Sequence, residues 1–412
     1  MKYGLIGEKL GHSFSKEIHA LLADYTYELT ELTPEETDDL MQRKDFSAIN
    51  VTIPYKERVM PFLDRISENA EKIGSVNTIV NKNGTLYGYN TDILGMKALI
   101  CRHTESFTGK NVLILGGDGG TARTAYAAAA ELGAKNIYRV SRTPREGFID
   151  YQTALQTDAN VIINTTPVGM FPKTDAMPID PAAFKNISLV IDAIYNPLRT
   201  PLVLAAQKAG IAAEGGLYML AAQAVYACRL FTGKEFNNEV FQKIYAKIRA
   251  EKENIVLIGM PGCGKTTVGK MLAERLHRPF IDVDAEIVAE GGREISEIFA
   301  ADGEEEFRRA ESRMIKKIAE YARGAVIATG GGAVLRGENT EALKKDGRIY
   351  FIDRAAELLL PTADRPLANS VQSIKKRFEE RYGIYCESAD VHIISDNDAE
   401  HTAKQIEEDF LS

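Results

Sequence analysis

Residues 259–266 read GMPGCGKT, a glycine-rich segment whose composition suits the binding of phosphate groups. The apolar run IVLI precedes the segment and a helical pattern follows it, which is the strand–loop–helix context that such a motif requires. In that context Lys265 can neutralise the charge of the β- and γ-phosphates, and the hydroxyl of Thr266 can bind Mg²⁺. The segment therefore predicts a nucleotide-binding site. The predicted nucleotide-binding residues are Gly262, Gly264, Lys265, Thr266 and Thr267.

A pair of carboxylates follows this segment along the chain. The sequence FIDVD places Asp282 and Asp284 two residues apart at the end of a predicted strand, so both side chains can face the same crevice. These residues, taken alone, leave the acceptor of the phosphoryl group open.

A resemblance indicates the acceptor. Beyond FIDVD the second half contains GREISEIFAADGEEEFRRAE, TGGGAV, DRPL and RYGIYCESAD, and it resembles shikimate kinase along nearly all of its length. The resemblance implies that Thr266 and Asp282 serve the Mg²⁺ ion, and that Asp284 accepts a hydrogen bond from a shikimate hydroxyl and acts as the base. It assigns shikimate binding to Arg308, Gly330, Gly331, Gly332 and Arg381. It assigns catalysis to Asp284, Lys265 and the lid arginine Arg365.

The residue types agree with this chemistry. A small carboxylate substrate needs planar, bidentate donors, which Arg308 and Arg381 can supply. Consecutive glycines let the backbone approach a substrate closely, and a mobile lid arginine can meet the charge that develops on the transferred phosphoryl group. The family usually has a further arginine shortly before RPL, whereas this chain reads ELLLPTAD there, which predicts weaker or differently built adenine binding.

The first half contains a second glycine-rich turn, GDGGTAR at 117–123, between the apolar run VLIL and an alanine-rich helical pattern. Such a turn suits a dinucleotide pyrophosphate at a helix N-terminus. The next strand ends in a polar, basic cluster, SRTPRE, which suits the 2′-phosphate of NADP(H). Asp118 is unfavourable beside a pyrophosphate, so we expect its carboxylate to point to solvent. The predicted binding residues are Gly117, Gly119, Gly120, Arg142 and Arg145.

The flanking motifs make residues 1–250 similar to shikimate dehydrogenase. They are HSFS, NVTIPYK, GSVNTI, GYNTD, NTTPVGM, DAIYNPLRTPL and GGLYMLAAQA, in the family's order. The resemblance implies that the substrate carboxylate binds to Ser13 and Ser15, and its hydroxyls to Thr52, Asn77 and Gln223. It implies that the cofactor also contacts Thr165, Tyr195 and Gly216.

Lys56 and Asp92 are the catalytic pair that the resemblance implies. Hydride delivery to a ketone leaves an alkoxide that needs a proton. Lys56 can donate this proton while Asp92 orients the lysine and shares the proton relay.

The elements that must position these residues follow a βαβ rhythm. The runs VLIL, VIIN and LVIDAI read as buried parallel strands, and a second series starts at IVLIGM and continues through PFIDVD, AVIATG and RIYFID. The chain is therefore predicted to be α/β, with a shikimate dehydrogenase-like substrate domain, a Rossmann-type NADP domain and a P-loop kinase domain. The predicted ranges are 1–100 with 215–250, 101–214, and 254–412, with the last junction near Lys252.

Composition sets the broad class. The chain has 412 residues, of which 45% are hydrophobic and 26% charged, and its net charge of -8 argues against nonspecific nucleic-acid binding. The four scattered cysteines fit a reducing compartment. The N-terminus reaches polar residues too soon for a signal peptide, and no apolar run approaches the ~20 residues of a membrane helix. We expect a cytoplasmic enzyme that acts on 3-dehydroshikimate and shikimate, with self-association possible.

Three alternatives remain open. The first half could be a quinate-type dehydrogenase, although paired serines at 13 and 15 favour shikimate. The second half could be another small-molecule kinase, such as a gluconate or nucleoside-monophosphate kinase, although the set Asp284, Arg308 and Arg381 disfavours it. One half could also be an inactive module that only binds ligand or stabilises its neighbour.

Overall fold

Two units, Met1–Ile248 and Arg249–Ser412, make up the chain. The computed structural model describes residues 1–11, 13–143, 145–359, 371–395 and 398–412. Each unit is built from parallel or mixed sheets with helices on their faces, which confirms the predicted α/β class. Within the described residues, no helix is both long enough and apolar enough to cross a membrane.

The first unit begins with a sheet of mixed direction. Its strands are β1 (Tyr3–Gly7), β2 (Tyr27–Glu31), β3 (Ala48–Val51), β4 (Arg65–Ile66), β5 (Thr78–Lys82) and β6 (Thr85–Tyr89). Their order is β2-β1-β3-β5-β6-β4, in which β1 runs parallel to both β2 and β3, and β5 runs antiparallel to β3 and β6. The accompanying helices are α1 (Ser15–Leu22), α2 (Pro34–Arg43), α3 (Glu68–Ile73) and α4 (Asp92–Cys101). Helix α2 starts at a capping box, because the Thr33 hydroxyl accepts from the Glu36 amide and the Glu36 carboxylate accepts from the Thr33 amide.

A parallel sheet follows in the same unit. Its strands are β7 (Asn111–Leu115), β8 (Asn136–Val140), β9 (Val161–Asn164), β10 (Leu189–Asp192) and β11 (Ala212–Glu214). Their order is β11-β10-β9-β7-β8, so the chain leaves β7 toward one edge and returns to β9 on its other side. In such doubly wound sheets the ligand crevice lies at the carboxyl ends of the two strands where the order reverses, here β7 and β9. The runs VLIL, VIIN and LVID are buried strands, as predicted.

The remaining helices of the first unit cover this sheet and connect it to the first. They are α5 (Gly120–Glu131), α6 (Tyr151–Ala154), α7 (Pro201–Lys208), α8 (Leu217–Thr232) and α9 (Asn238–Lys252). Helices α4 and α8 approach closely at Gly95, where a Cβ atom would lie 2.6 Å from the carbonyl oxygen of Met219. The division between the units falls after Ile248, inside α9.

The second unit contains one parallel sheet. Its strands are β12 (Asn254–Ile258), β13 (Phe280–Asp282), β14 (Val326–Ala328), β15 (Gly347–Asp353) and β16 (Val391–Ile394), in the order β13-β14-β12-β15-β16. Its helices are α10 (Lys265–Arg275), α11 (Val283–Gly291), α12 (Ile295–Tyr321), α13 (Gly337–Lys344), α14 (Val371–Ser388) and α15 (Ala399–Leu411). Helix α12 is interrupted at Gly303, whose φ of 83° is not helical. The predicted runs from IVLI to RIYFID form β12 to β15.

Candidate active sites

Lys56 and Asp92 form an ion pair in the first unit. The Lys56 Nζ atom lies 2.5 Å from Asp92 Oδ2, and the two side chains are 16% and 6% exposed. Asp92 is the first residue of α4, where the positive end of the helix favours a carboxylate. The geometry therefore holds the Lys56 amine, a proton donor, against the fixed Asp92 carboxylate where both are largely shielded from water.

Asn77 connects this pair to residues that are distant in sequence. Its Nδ2 atom lies 2.8 Å from Asp92 Oδ1 and 3.3 Å from the side-chain oxygen of Gln223 on α8. Its Oδ1 atom accepts from the Thr91 amide at 2.7 Å. Asn77 is buried, so these bonds fix its amide orientation. Three of the predicted residues, Asn77, Asp92 and Gln223, are thus brought together.

The predicted substrate residues Ser13, Ser15 and Thr52 lie beyond the carboxyl ends of neighbouring parallel strands. Thr52 directly follows β3, and its amide donates to the Ile6 carbonyl of β1 at 2.9 Å. Ser15 opens α1, and its amide donates to the Ser13 hydroxyl at 3.3 Å. Because carboxyl ends of parallel strands share one sheet edge, Thr52 and the segment after β1 flank the same edge.

Two of the residues predicted to contact the cofactor, Gly216 and Tyr195, lie near α8 and the end of β10. Gly216 caps the start of α8, and a Cβ atom there would collide with the Ala193 carbonyl. The ring of Tyr195 lies 5.3 Å from that of Phe14, and burial raises the pKa of its hydroxyl. Nearby, burial raises the pKa of the Asp192 carboxyl to about 6, although hydrogen bonds from Thr200, Ile194 and Asn164 oppose the shift.

The glycine turn after β7 has the geometry of a phosphate loop. Gly116 and Gly117 have φ values of 132° and 64°, and Gly119 precedes α5, which begins at Gly120. A Cβ atom at Gly116 would collide with Thr165, whose hydroxyl donates to the Leu115 carbonyl at 2.5 Å. The turn therefore fits a pyrophosphate at the N-terminus of α5.

The basic segment after β8 lies close to Asp118 of the glycine turn after β7. Arg142 is exposed, as a residue that binds a phosphate from solvent must be. Asp118 is also exposed, as expected, and its carboxylate oxygens lie 3.9 Å from Arg139 and 3.6 Å from Arg145. Opposite charges within this distance attract each other, which turns the carboxylate toward the predicted phosphate site.

The phosphate-binding segment of the second unit has the predicted strand–loop–helix form. Gly259, Gly262 and Gly264 have positive φ values of 147°, 85° and 101°. Lys265 is buried, and its Nζ atom donates to the carbonyl oxygens of Gly259 at 2.9 Å and Met260 at 3.0 Å. Thr267 is exposed in the first turn of α10. A loop that curls around an ammonium group in this way fits a triphosphate, whose oxygens the same group can contact.

Thr266 and Asp282 lie together, as a shared Mg²⁺ site requires. The Thr266 hydroxyl donates to Asp282 Oδ2 at 2.8 Å, and Asp282 Oδ1 accepts from the Asp284 amide at 3.1 Å. One hydroxyl and one carboxylate suit Mg²⁺, which keeps several waters and takes further ligands from phosphates. Asp284 lies two residues beyond Asp282, and its backbone amide is bonded to that predicted metal ligand.

Arg308 and the glycines of TGGGAV are in contact. Arg308 NH1 lies 2.7 Å from Glu311 Oε2, and Glu311 is fully buried. A Cβ atom at Gly332 would overlap the Arg308 guanidinium, and one at Gly330 would lie 2.8 Å from Asp284 Oδ1. Burial raises the pKa of the Glu311 carboxyl, although the charge of Arg308 opposes the shift. Any side chain at these glycines would displace the residues predicted to bind and deprotonate the substrate.

Arg381 reaches the same glycines from α14. Its NH1 atom donates to the Gly331 carbonyl at 3.1 Å, and the Tyr385 hydroxyl donates to the same oxygen. The predicted lid arginine, Arg365, lies outside the described residues. Apart from Arg365, the predicted kinase residues form one cluster between the carboxyl ends of β12 to β14 and the middle of α14.

Sequence reasoning missed two arginines near this cluster. Arg377 lies one helical turn before Arg381, and burial together with repulsion from Arg381 lowers its pKa. Arg354 follows β15 and donates to the Gly262 carbonyl at 3.4 Å. The spacing of four residues before Arg381 could have drawn attention to Arg377. Nothing local in the sequence connects Arg354 with Gly262, which lies 92 residues away.

Known proteins resemble both units. The profile of the shikimate dehydrogenase substrate binding domain matches residues 5–79, and the shikimate kinase profile matches residues 261–410. A shikimate dehydrogenase (NADP(+)) of Clostridium beijerinckii is 36% identical over 261 residues, which is 59% of this chain and 96% of that relative.

Solved structures agree for the first unit. Shikimate dehydrogenase 1 of Peptoclostridium difficile has a TM-score of 0.56 and 33% identity, covering 61% of this chain and 99% of that one. Shikimate 5-dehydrogenase of Thermus thermophilus, solved with NADP(H) and shikimate, has a TM-score of 0.54 and 27% identity, covering 60% and 99%. The chain therefore belongs to the shikimate dehydrogenase family, and its second unit carries a shikimate kinase domain.

Proposed function

We propose that this chain catalyses two consecutive reactions, the NADPH-dependent reduction of 3-dehydroshikimate to shikimate and the ATP-dependent phosphorylation of shikimate to shikimate 3-phosphate. The buried Lys56–Asp92 pair carries the first assignment. The hydrogen bonds that connect Thr266 of the phosphate loop to Asp282, and Asp282 to Asp284, carry the second. Relatives named as NADP-dependent shikimate dehydrogenases and the shikimate kinase profile support both.

In the reduction, the chain's own residues handle the substrate and the proton. Bound NADPH supplies the hydride. Lys56 donates its proton to the carbonyl oxygen as that oxygen gains charge, while Asp92, which Asn77 holds, keeps the amine in position. Ser13 and Ser15 bind the substrate carboxylate, as the resemblance implies.

In the phosphorylation, Asp284 accepts the proton of the attacking hydroxyl. Bound ATP with Mg²⁺ supplies the phosphoryl group. Lys265, which contacts the loop carbonyls, would contact phosphate oxygens instead, and Thr266 with Asp282 would hold the metal. Arg308 and Arg381 bind the shikimate carboxylate beside the glycines, where they are already desolvated and lose little water on binding.

A coupled assay tests the whole proposal. The full chain is supplied with 3-dehydroshikimate, NADPH, ATP and Mg²⁺, and shikimate 3-phosphate is expected to form. Omitting NADPH should stop the product, and adding shikimate should restore it. The product's failure to form from either starting compound would refute the function. Comparing the rates of NADP⁺ reduction with shikimate and with quinate as substrates distinguishes a shikimate dehydrogenase from a quinate-type dehydrogenase.

Shikimate is expected to pass between the sites through solvent. All predicted dehydrogenase residues lie before Ile248 and all predicted kinase residues lie after Arg249, so each unit holds a complete set. When labelled 3-dehydroshikimate is converted in the presence of excess unlabelled shikimate, the label in shikimate 3-phosphate should be diluted accordingly. Undiluted label would show direct transfer instead.

Replacing Arg142 with alanine is expected to weaken NADPH binding. Losing a charge-assisted contact to a phosphate costs about 1.5–3 kcal/mol, which is about tenfold or more in the Michaelis constant for NADPH. The constant for NADH should change little, because NADH lacks the phosphate. Arg43→Ala, which removes an exposed arginine beside Asp45, is the matched control. An unchanged preference in Arg142→Ala would contradict the assignment.

A further inference from the structure

We propose that Asp118 sets the cofactor specificity of the dehydrogenase unit by competing with the 2′-phosphate of NADP(H) for Arg139 and Arg145. The inference rests on the proposed function, because it presumes that a dinucleotide binds at the glycine turn after β7. It assigns a negative role to Asp118, which lowers the affinity for NADP(H) relative to NAD(H).

The two arginines are held in place by an aromatic ring. The guanidinium carbons of Arg139 and Arg145 each lie 4.2 Å from the ring centroid of Phe148. The chain turns tightly between Arg145 and Phe148, because the Phe148 amide donates to the Arg145 carbonyl at 2.9 Å and Gly147 has a φ of 76°. A side chain at Gly147 would meet Arg139, since a Cβ atom there would lie 2.9 Å from NH2. Two cations are thus fixed side by side.

Asp118 is brought to these cations by the backbone of the glycine turn. The Gly117 amide donates to the Val140 carbonyl at 2.9 Å, which fastens the turn to the end of β8. Asp118 follows at once, and each of its carboxylate oxygens faces a different arginine, Arg139 at 3.9 Å and Arg145 at 3.6 Å. The carboxylate therefore lies between the cations and beside the turn that is proposed to bind the pyrophosphate.

The contact of Asp118 with the two arginines is attractive, but a phosphate can displace it. Both distances exceed those of a good charge-assisted hydrogen bond, and the Asp118 and Arg145 side chains are 46% and 52% exposed. Exposed ion pairs of this kind contribute little to stability, so an incoming phosphate can displace the carboxylate. Once displaced, the carboxylate remains tethered near the phosphate and repels it, whereas the 2′-hydroxyl of NAD(H) is uncharged.

The decisive measurement is equilibrium binding by calorimetry with the full chain. The probes are NADP⁺, NAD⁺ and adenosine 2′,5′-bisphosphate, tested on the parent, Asp118→Asn and Asp118→Ala. We expect both variants to bind NADP⁺ and the bisphosphate about three- to tenfold more tightly, with the gain shrinking at high salt. The affinity for NAD⁺ should stay within about twofold of the parent. Glu146→Gln, which neutralises the exposed carboxylate next to Arg145 in the chain, should leave the affinities for all three probes unchanged.

The outcomes separate this inference from the proposed function. If the parent prefers NADP⁺ but Asp118→Asn binds it equally or more weakly, Asp118 orients the arginines and the inference is wrong. An equal gain for NAD⁺ would overturn it too, because the effect would then be unrelated to the 2′-phosphate. If the parent binds neither NADP⁺ nor the bisphosphate, the proposed cofactor itself fails.

Discussion

Lys56→Ala is expected to lower the turnover number for reduction of 3-dehydroshikimate by about a hundredfold to ten-thousandfold, the range for loss of a positioned proton donor. The amine lies 2.5 Å from one oxygen of Asp92, and Asn77 holds the other, so the alanine variant removes the positioned ammonium group while its anchor stays in place. NADPH oxidation, followed by absorbance, measures the loss. Phosphorylation of added shikimate should stay near the parent rate.

The matched control is Lys97→Ala. Lys97 lies on the same helix as Asp92 but pairs with Glu131 at the surface, so its removal should leave reduction nearly unchanged. Binding of NADP⁺ to Lys56→Ala should also be unchanged, which separates loss of chemistry from loss of fold. Reduction by Lys56→Ala at close to the parent rate would rule out Lys56 as the proton donor.

Asp284→Asn is expected to slow phosphorylation of shikimate by about a hundredfold to ten-thousandfold while ATP binding is largely kept. The asparagine side chain preserves the shape of the aspartate but cannot accept the hydroxyl proton. The backbone N–H of residue 284 can still donate to Asp282, so the metal site should survive. Single-turnover phosphorylation and calorimetric ATP binding measure the two effects separately.

Two comparison variants sharpen this experiment. Asp302→Asn changes an exposed carboxylate that pairs with Arg293, and it should phosphorylate shikimate normally. Lys265→Ala should lose both ATP binding and phosphorylation, yet reduce 3-dehydroshikimate at the parent rate. An Asp284→Asn variant that phosphorylates at near the parent rate would show that another group is the base.

Much of the fold could be predicted because buried parallel strands are continuous apolar runs. A strand that is buried on both faces is apolar throughout, without alternation of polar residues, so it can be identified without knowing the strands it pairs with. This applies to VLIL, VIIN and IVLI. The first sheet is different. Its strand β2 reads YELTE with only Tyr27 buried, and β4 has two residues, so neither gives a run of apolar residues. Their pairing depends on contacts with β1 and β6, which local sequence does not contain.

The candidate sites were predictable where motifs are short and contiguous. The phosphate loop holds its glycines, lysine and threonine within one segment, so spacing alone indicated its chemistry. The contact between Asn77 and Gln223 joins residues 146 positions apart, and only the family resemblance pointed to it. For Asp118 the charge argument predicted the exposure that the structure shows, but not its two partners, because β8 and the following turn bring Arg139 and Arg145 to it. Side-chain partners across elements depend on tertiary packing.

The position of Lys265 has a consequence for how quickly the kinase unit can bind nucleotide. Its ammonium group donates to the loop's own carbonyls at Gly259 and Met260, which ties the start of the loop to the start of α10. Ordering a free residue costs roughly 1–2 kcal/mol of conformational entropy, and glycines lose more than other residues. Because the lysine already orders the loop, the arriving nucleotide does not have to. Association then becomes an exchange of hydrogen-bond acceptors around one cation rather than a search among loop conformations.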